Sequence, residues 1–163
     1  MDYKLLILAP SAGGKSTLMR YLREHTHFNI AEMDEEVMKE NDNVWPSDND
    51  HKDRVIVPKV VKNIISKKQV IYLASYVPID LIREAQGVGF KIILLDIDEE
   101  ELQKRNKERM RDENYNDASA WFKMQLDSYK KLQVEGLVDI ILDGAQAPAK
   151  IAERITNIAK STE

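Results

Sequence analysis

Short apolar runs alternate along the chain with longer segments in which apolar residues recur with helical spacing. The runs are continuous, without intervening polar positions, and they are rich in Ile, Leu and Val. This pattern is typical of parallel strands that are buried on both faces. The predicted strands are Lys4–Ala9, Phe28–Glu32, Val70–Ala74, Lys91–Asp96 and Val138–Leu142. The pattern is weakest in the second of these runs.

The segments between the strands favour helices, because their apolar residues fall on one face at a period of about 3.6 residues. The predicted helices are Lys15–Glu24, Asp53–Ser66, Ile79–Gln86, Glu99–Asp112, Ala118–Val134 and Pro148–Ala159. The polar and acidic stretch Asn41–Lys52, which contains Trp45-Pro46, is predicted to be a loop. Strands that alternate with helices predict an α/β fold with a doubly wound sheet.

Composition narrows the class of protein. The 163 residues fit one domain that spans positions 1–163. The net charge of −4 argues against nucleic acid as the main partner. There is no cysteine, so disulfides, thiolate metal sites and a cysteine nucleophile are excluded. No apolar stretch approaches the ~20 residues of a membrane span. We therefore expect a cytoplasmic protein with no membrane partner, and the sequence leaves its oligomeric state open.

The stretch from Ala9 to Thr17 reads Ala-Pro-Ser-Ala-Gly-Gly-Lys-Ser-Thr and fits the phosphate-binding P-loop pattern with one departure. Ala9 replaces the usual first glycine. The motif follows the first predicted strand and opens the first predicted helix, which is the context that the pattern requires. A loop of small residues at this place directs backbone N–H groups at phosphate oxygens, and the helix adds its N-terminal donors.

This motif predicts a site for ATP and Mg²⁺. The Lys15 ammonium is expected at the β- and γ-phosphates, and the Ser16 hydroxyl is expected to bind Mg²⁺. The predicted nucleotide-binding residues of the loop are Ser11, Ala12, Gly13, Gly14, Lys15, Ser16 and Thr17.

A second motif follows the fourth predicted strand. Residues 92–102 read Ile-Ile-Leu-Leu-Asp-Ile-Asp-Glu-Glu-Glu-Leu and are followed by Arg105 and Arg109. Together with the P-loop, this stretch resembles the start of the lid in the nucleoside monophosphate kinase group. That group belongs, with shikimate and gluconate kinases, to a larger set of small P-loop kinases. The resemblance implies a three-layer sandwich with a five-stranded parallel sheet of order 2-3-1-4-5. It also implies an acceptor-side segment at about residues 33–66 and a short lid at about residues 109–117.

The resemblance assigns roles to the two arginines. In these kinases the first lies over the adenine and the second contacts the transferring phosphate, so these roles fall on Arg105 and Arg109. A guanidinium suits both roles because it is permanently charged and bonds phosphate in a bidentate manner. The alternative for Arg105 is an ordinary helical ion pair with Glu101. Arg111 is a third candidate for the same pocket.

Two departures from the family pattern concern the phosphoryl acceptor. Nucleoside monophosphate kinases carry an arginine in the loop after their third strand, where residues 73–78 read Leu-Ala-Ser-Tyr-Val-Pro here. Gln125 stands where an arginine is expected on the helix after the lid. The cations that would hold an acceptor phosphate are therefore missing, and this favours a hydroxyl group on another small molecule as acceptor.

Asp34 is the predicted residue for that hydroxyl, because it follows the second predicted strand near the carboxyl edge of the sheet. Shikimate- and gluconate-type kinases, which this region also resembles, keep an aspartate there. A carboxylate at this place can orient the hydroxyl, accept its proton and help to fix Mg²⁺. The alternative is a helix-start residue favoured by the helix dipole. Asp96 and Asp143 also end apolar runs and compete as magnesium ligands, with Ser75 as a weaker helper.

These residues predict an ATP-dependent phosphotransferase with Lys15, Asp34 and Arg109 as catalytic residues and Ser16 and Asp34 at the metal. A nucleoside or nucleoside monophosphate kinase is one alternative. An ATP-binding regulatory or ATPase module without an acceptor is another. Trp45 is expected either to line the acceptor pocket or to fill a small apolar cluster.

Overall fold

Five parallel strands form one sheet in the computed structural model of the chain, which describes residues 2–161. The strands are β1 (Tyr3–Leu8), β2 (Ile30–Glu32), β3 (Gln69–Ala74), β4 (Lys91–Asp96) and β5 (Ile140–Asp143). They lie in the order β2-β3-β1-β4-β5, and every neighbouring pair is parallel. The predicted doubly wound α/β sheet and its strand order are confirmed.

The helices that connect and cover the strands are α1 (Lys15–His25), α2 (Met33–Glu40), α3 (Asn49–His51), α4 (Val57–Ile65), α5 (Ile79–Gly87), α6 (Glu99–Asp112), α7 (Phe122–Val134) and α8 (Pro148–Lys160). A short 3₁₀ turn, Ser119–Trp121, leads into α7. No helix within residues 2–161 has both the length and the apolar character that crossing a membrane requires.

Two apolar cores cover the two faces of the sheet, because successive side chains of a strand point to opposite faces. Leu5 and Ile7 of β1 belong to the core that α1 and α8 complete. Leu6 and Leu8 belong to the opposite core, which α4, α5 and part of α7 complete. All four side chains are fully buried. This arrangement makes the predicted three layers and explains why the strands read as continuous apolar runs.

The carboxyl ends of the central strands meet at one edge of the sheet. Leu8, the last residue of β1, lies in register with Ala74 of β3 and with Leu94 of β4. The Ala9 N–H then donates to the Ala74 carbonyl at 3.1 Å, one position beyond the strand. Ligands of doubly wound sheets bind outside this edge, where neighbouring connections leave in different directions.

The segment from Asn41 to Lys52 is more helical than its sequence indicated. A helical path begins at Asn49, where the Asp48 carboxylate caps it by accepting from the N–H groups of Asp50 and His51 at 3.0 and 3.3 Å. A π-helical turn, Lys52–Ile56, joins α3 to α4. Pro58 explains the irregular turn, since proline lacks the N–H group that a regular helix uses.

Helix α2 was absent from the predicted helices. It has eight residues, and only Met33 and Val37 are buried, so its apolar periodicity is short. Its first turn carries three acids, Asp34, Glu35 and Glu36, which the positive end of the helix dipole stabilises. This electrostatic support replaces the apolar pattern from which helices are usually recognised.

Candidate active site

The loop between β1 and α1 has the backbone of a phosphate cradle. Ala12 and Gly14 adopt positive φ angles of 63° and 90°, and the Gly13 N–H donates to the Pro10 carbonyl at 2.8 Å. A Cβ atom at Gly13 would lie 2.7 Å from that carbonyl oxygen, so only glycine fits there. Ala9 is fully buried and has no positive φ angle. The alanine at the first position of the motif therefore introduces no backbone strain into the loop.

The Lys15 side chain lies back over this loop. Its ammonium donates to the carbonyl oxygens of Ala9 and Pro10, each at 3.2 Å. Burial lowers the pKa of Lys15 to about 8, although the nearby carboxylates of Asp34 and Glu32 oppose this shift. The positive charge of Arg109 also lowers the pKa. Lys15 therefore sits among charged groups contributed by two other segments of the chain, the β2–α2 junction and α6.

Two carboxylates at the end of β2 face Lys15. Asp34 is exposed and belongs to the first turn of α2. Glu32 is 5% exposed and caps that helix, accepting from the Glu35 N–H at 3.1 Å. Burial raises the pKa of Glu32, and the charge of Asp34 raises it further. Sequence reasoning missed Glu32, although an acid that ends a buried strand at the carboxyl edge of the sheet was the available signal.

Arg105 joins three parts of the site. Its Nε donates to the Glu101 carboxylate at 3.0 Å, so the helical ion pair exists. Its two other nitrogens donate to the carbonyl oxygens of Gly13 at 3.3 Å and Gly144 at 3.1 Å. Gly144 packs directly on the side chain of Ile97, where a Cβ atom would clash, so only glycine fits there. Arg105 is thus a surface ion pair and a contact of the P-loop at the same time.

Arg109 follows one helical turn later, at the start of the segment 109–117 that is predicted to be a lid. The Arg109 guanidinium lies 4.0 Å from the centre of the Tyr115 ring, a cation–π contact. Asn106 fastens the far end of this segment to α6, donating to the Asp117 carboxylate at 2.8 Å and accepting from the Ala118 N–H at 3.0 Å. The N–H of Ser119 and the amide of Asn106 hold the pKa of Asp117 below its usual value.

One cavity of about 660 Å³ brings these groups together. Its lining includes the residues to which the sequence analysis assigned nucleotide-binding, metal-binding or catalytic roles: Ser11, Ala12, Gly13, Gly14, Lys15, Ser16, Thr17, Asp34, Arg105 and Arg109. Glu32, Trp121, Gly144 and Gln146 line it as well. Sequence reasoning had not placed Glu32, Trp121 or Gln146 there, because their positions depend on how the connections fold over the sheet edge.

Other candidates fall outside the cavity lining. Arg111 forms an ion pair with its neighbour Asp112, with Nε and Oδ1 2.7 Å apart, and does not line the cavity. Asp96 and Asp143 pair across β4 and β5 and are also outside it, and Asp143 accepts from the Ala145 N–H at 2.9 Å. Within residues 2–161, no group of three or more His, Asp or Glu side chains lies together as a metal-binding cluster.

Trp45 neither lines the cavity nor fills an apolar cluster. It is 45% exposed, and the Lys52 ammonium lies 5.4 Å from its ring centre. The same ammonium lies 6.0 Å from the ring centre of Trp121, which does line the cavity. Lys52 therefore lies between Trp45 and Trp121, which is in the 3₁₀ turn before α7.

Helix α7 holds two of the loops at the sheet edge. The Gln125 side chain is bonded to Ser11 of the P-loop, and the Tyr129 hydroxyl donates to the Ser75 carbonyl after β3. Both side chains are buried. Gln125 occupies the position where the family resemblance places an arginine.

Comparisons with known proteins address the fold. No protein-family model and no curated protein matches the sequence. Shikimate kinase from Acinetobacter baumannii, solved in complex with shikimate, superposes with a TM-score of 0.73 at 17% identity over 100% of this chain and 96% of that chain. Shikimate kinase from Aquifex aeolicus gives 0.69 at 19% identity over 97% and 96%. A gluconokinase from Sinorhizobium meliloti gives 0.67 at 15% identity over 98% and 95%. The chain therefore has the fold of the small P-loop kinases, in agreement with the resemblance in its sequence.

Proposed function

We propose that this chain is an ATP-dependent phosphotransferase that moves the γ-phosphate of ATP to a hydroxyl group of a small molecule. One observation carries the proposal. A phosphate-binding loop, a lysine, an exposed carboxylate and two arginines from distant segments line the same cavity. Phosphoryl transfer is catalysed mainly by positioning and by electrostatic stabilisation, and these groups supply both.

The P-loop and the arginines would hold the triphosphate. The first N–H groups of α1 have no partner within the helix and are oriented toward the cavity end of the loop. The Lys15 ammonium, which now bonds the carbonyls of its own loop, would turn to the β- and γ-phosphates. Arg105, which donates to the Gly13 carbonyl of the P-loop, would lie over the nucleotide base as the resemblance to the small kinases implies, and Arg109 would neutralise the transferring phosphate.

The oxygen groups near Lys15 suit Mg²⁺. Magnesium binds hydroxyl and carboxylate oxygens and keeps several waters and phosphate oxygens, so it needs few protein ligands. The Ser16 hydroxyl and a carboxylate of Asp34 or Glu32 would hold it, and the ion would neutralise phosphate charge. Asp34 would also orient the acceptor hydroxyl and accept its proton, because it is the exposed carboxylate of the pair.

The residues on the acceptor side support a hydroxyl group as the phosphoryl acceptor and argue against the phosphate group of a nucleotide. The connection after β3 carries Ser75, Tyr76, Val77 and Pro78 and brings no cation to the sheet edge. The kinases that share the fold include a shikimate kinase solved with shikimate and a gluconokinase. A hydroxylated acid or sugar is therefore the acceptor class to test first.

The test is a transfer assay with MgATP and panels of hydroxy acids, sugars, sugar acids, nucleosides and nucleoside monophosphates. ADP release that depends on one non-nucleotide compound, together with a phosphorylated product identified by mass spectrometry, is expected. The Lys15→Ala variant should fold and lose most of this activity. Transfer to a nucleoside monophosphate would support a nucleotide kinase instead, and ADP release independent of any acceptor would support an ATPase module.

A further inference from the structure

The amide of Gln125 is fully engaged with one residue of the P-loop. Its Oε1 accepts from the Ser11 N–H at 2.8 Å, and its Nε2 donates to the Ser11 hydroxyl at 2.9 Å. The two residues are 114 positions apart in the chain, and Gln125 is 3% exposed. A buried side chain that uses both ends of its amide on one partner has a fixed orientation.

The loop that Gln125 holds contains an unfavourable backbone conformation. Ala12, the residue after Ser11, has a φ angle of 63°, and a left-handed conformation is unfavourable for any residue with a Cβ atom. Its methyl group is buried with Ile97, Leu102 and Phe122, which belong to the lid side of the site. The loop conformation therefore depends on contacts from outside the loop, and Gln125 supplies polar ones beside this apolar one.

An arginine could not replace these contacts. A guanidinium only donates hydrogen bonds, so it would leave the Ser11 N–H without its acceptor. Gln125 carries no charge and directs both of its polar groups to Ser11, and it does not line the cavity itself. The amide at this position therefore bonds the backbone and hydroxyl of the loop and is not placed to bind a phosphate.

We propose that Gln125 is a positioning residue, which fixes Ser11 and thereby sets the conformation in which the P-loop binds the triphosphate. This inference rests on the proposed ATP site. Through Gln125, helix α7 would support nucleotide binding without contacting the nucleotide itself.

The experiment measures MgATP binding to the full chain by calorimetry, for the wild type and for Gln125→Met. Methionine has nearly the same shape and length, but its thioether sulfur is only a weak acceptor for the Ser11 N–H and it has no donor for the Ser11 hydroxyl. MgATP affinity is expected to fall by about tenfold or more, in keeping with the loss of a buried acceptor. The matched control is Gln86→Met, because Gln86 also bonds through its side chain, to the Leu137 carbonyl at 3.1 Å and to Asp139 at 3.3 Å, away from the cavity. This control should bind MgATP within about twofold of the wild type, even where it loses as much stability.

A second variant, Gln125→Glu, separates positioning from charge. A carboxylate keeps the acceptor for the Ser11 N–H, and the Ser11 hydroxyl can turn to donate to it. Its binding defect should come from repulsion of the triphosphate, so its affinity relative to the wild type should recover at high salt. The relative affinity of Gln125→Met should not recover.

The outcomes are distinguishable. The positioning role alone would be overturned if Gln125→Met bound MgATP with wild-type affinity. It would also be overturned if Gln125→Met and Gln86→Met lost MgATP affinity equally, in proportion to their loss of stability. A wild-type chain that does not bind MgATP would overturn the proposed function and this inference together.

Discussion

The hydroxyl of Tyr129 donates to the backbone carbonyl of Ser75 at 2.5 Å and fastens α7 to the end of β3. Tyr72, three residues earlier on β3, also has a buried hydroxyl, but this group has no hydrogen-bond partner among residues 2–161. The two phenols are similarly buried and differ in whether their hydroxyl is bonded. They therefore form a natural pair for measuring what one hydrogen bond contributes.

Replacement of each tyrosine by phenylalanine should have opposite effects on stability. Tyr129→Phe should lower the free energy of unfolding by about 1 kcal/mol or more, since it leaves the Ser75 carbonyl without its donor. Tyr72→Phe should leave it unchanged or raise it, because it removes a buried polar group that has no bond to lose. Urea unfolding of both variants measures the difference. A larger loss in Tyr72→Phe than in Tyr129→Phe would contradict this account.

The lowered pKa of Lys15 predicts a pH dependence of nucleotide binding. Burial lowers this pKa to about 8, so the free protein loses the ammonium charge as the pH rises through 8. MgATP should bind more weakly above this pH, and binding near pH 8 should take up protons, because the triphosphate favours the charged form. Calorimetry in buffers of different ionisation enthalpy measures the uptake. MgATP binding without proton uptake at pH 8 would show that Lys15 is already fully protonated in the free protein and would contradict the prediction.

The same pKa predicts the sign of a stability effect. Between pH 8 and 10.5 the unfolded chain holds a proton on Lys15 that the folded chain has released, so this group raises the free energy of unfolding as the pH increases. Lys15→Met removes the group. The difference in stability between wild type and variant should therefore change over this pH range, in favour of the wild type. A constant difference would refute the depressed pKa.

Asp34 is the exposed carboxylate at the end of β2, and its replacement should affect turnover. Asp34→Asn keeps the shape but removes the charge and most of the basicity, so turnover should fall by about 10²–10⁴ while MgATP affinity changes little. If Asp34 chiefly holds the metal, high Mg²⁺ or Mn²⁺ should restore part of the activity. Wild-type turnover and affinity would reduce Asp34 to a helix-start residue.

Glu32→Gln tests the buried member of the pair. The amide oxygen can still accept from the Glu35 N–H, so the cap of α2 should survive and stability should change little. The negative charge near Lys15 is lost, and because that charge raises the pKa of Lys15, the pKa should fall further. The onset of weaker MgATP binding should therefore move to lower pH. An unchanged onset would mean that Glu32 does not act on Lys15.

The lid should exchange its amide hydrogens unevenly. Residues 113–116 are exposed, whereas Asn106 anchors the following Asp117 and Ala118. Hydrogen exchange should be fast in residues 113–116 and should slow when MgATP binds, because a phosphate held by Arg109 would fix the end of α6, where the Arg109 carbonyl accepts from the N–H groups of Glu113 and Tyr115. The amides of β4 serve as the control that nucleotide should not affect. Equal exchange with and without MgATP would contradict a nucleotide-linked lid.

The sequence by itself determined the class of fold and the centre of the site. A strand buried on both faces must be apolar throughout, so the runs at β1, β3 and β4 could be read within one residue of their observed ends. The P-loop is equally local, since its glycines, Lys15 and Ser16 are neighbours whose chemistry depends on their spacing. The lid arginines needed only the period of one helix to place them on the same side of α6.

Tertiary structure decided what distant segments bring to that centre. Gln125 reaches Ser11 across 114 positions, and no periodicity marks such a pair. Glu32 became part of the site because β2 ends beside β3 at the carboxyl edge, and the helical path from Asn49 formed because Asp48 caps it and a π turn accommodates Pro58. Sequence patterns reflect the burial and the backbone preferences of residues that are close together in the chain. Contacts across the sheet edge depend on how the loops and helices that leave the strands pack against one another, which only the tertiary structure fixes.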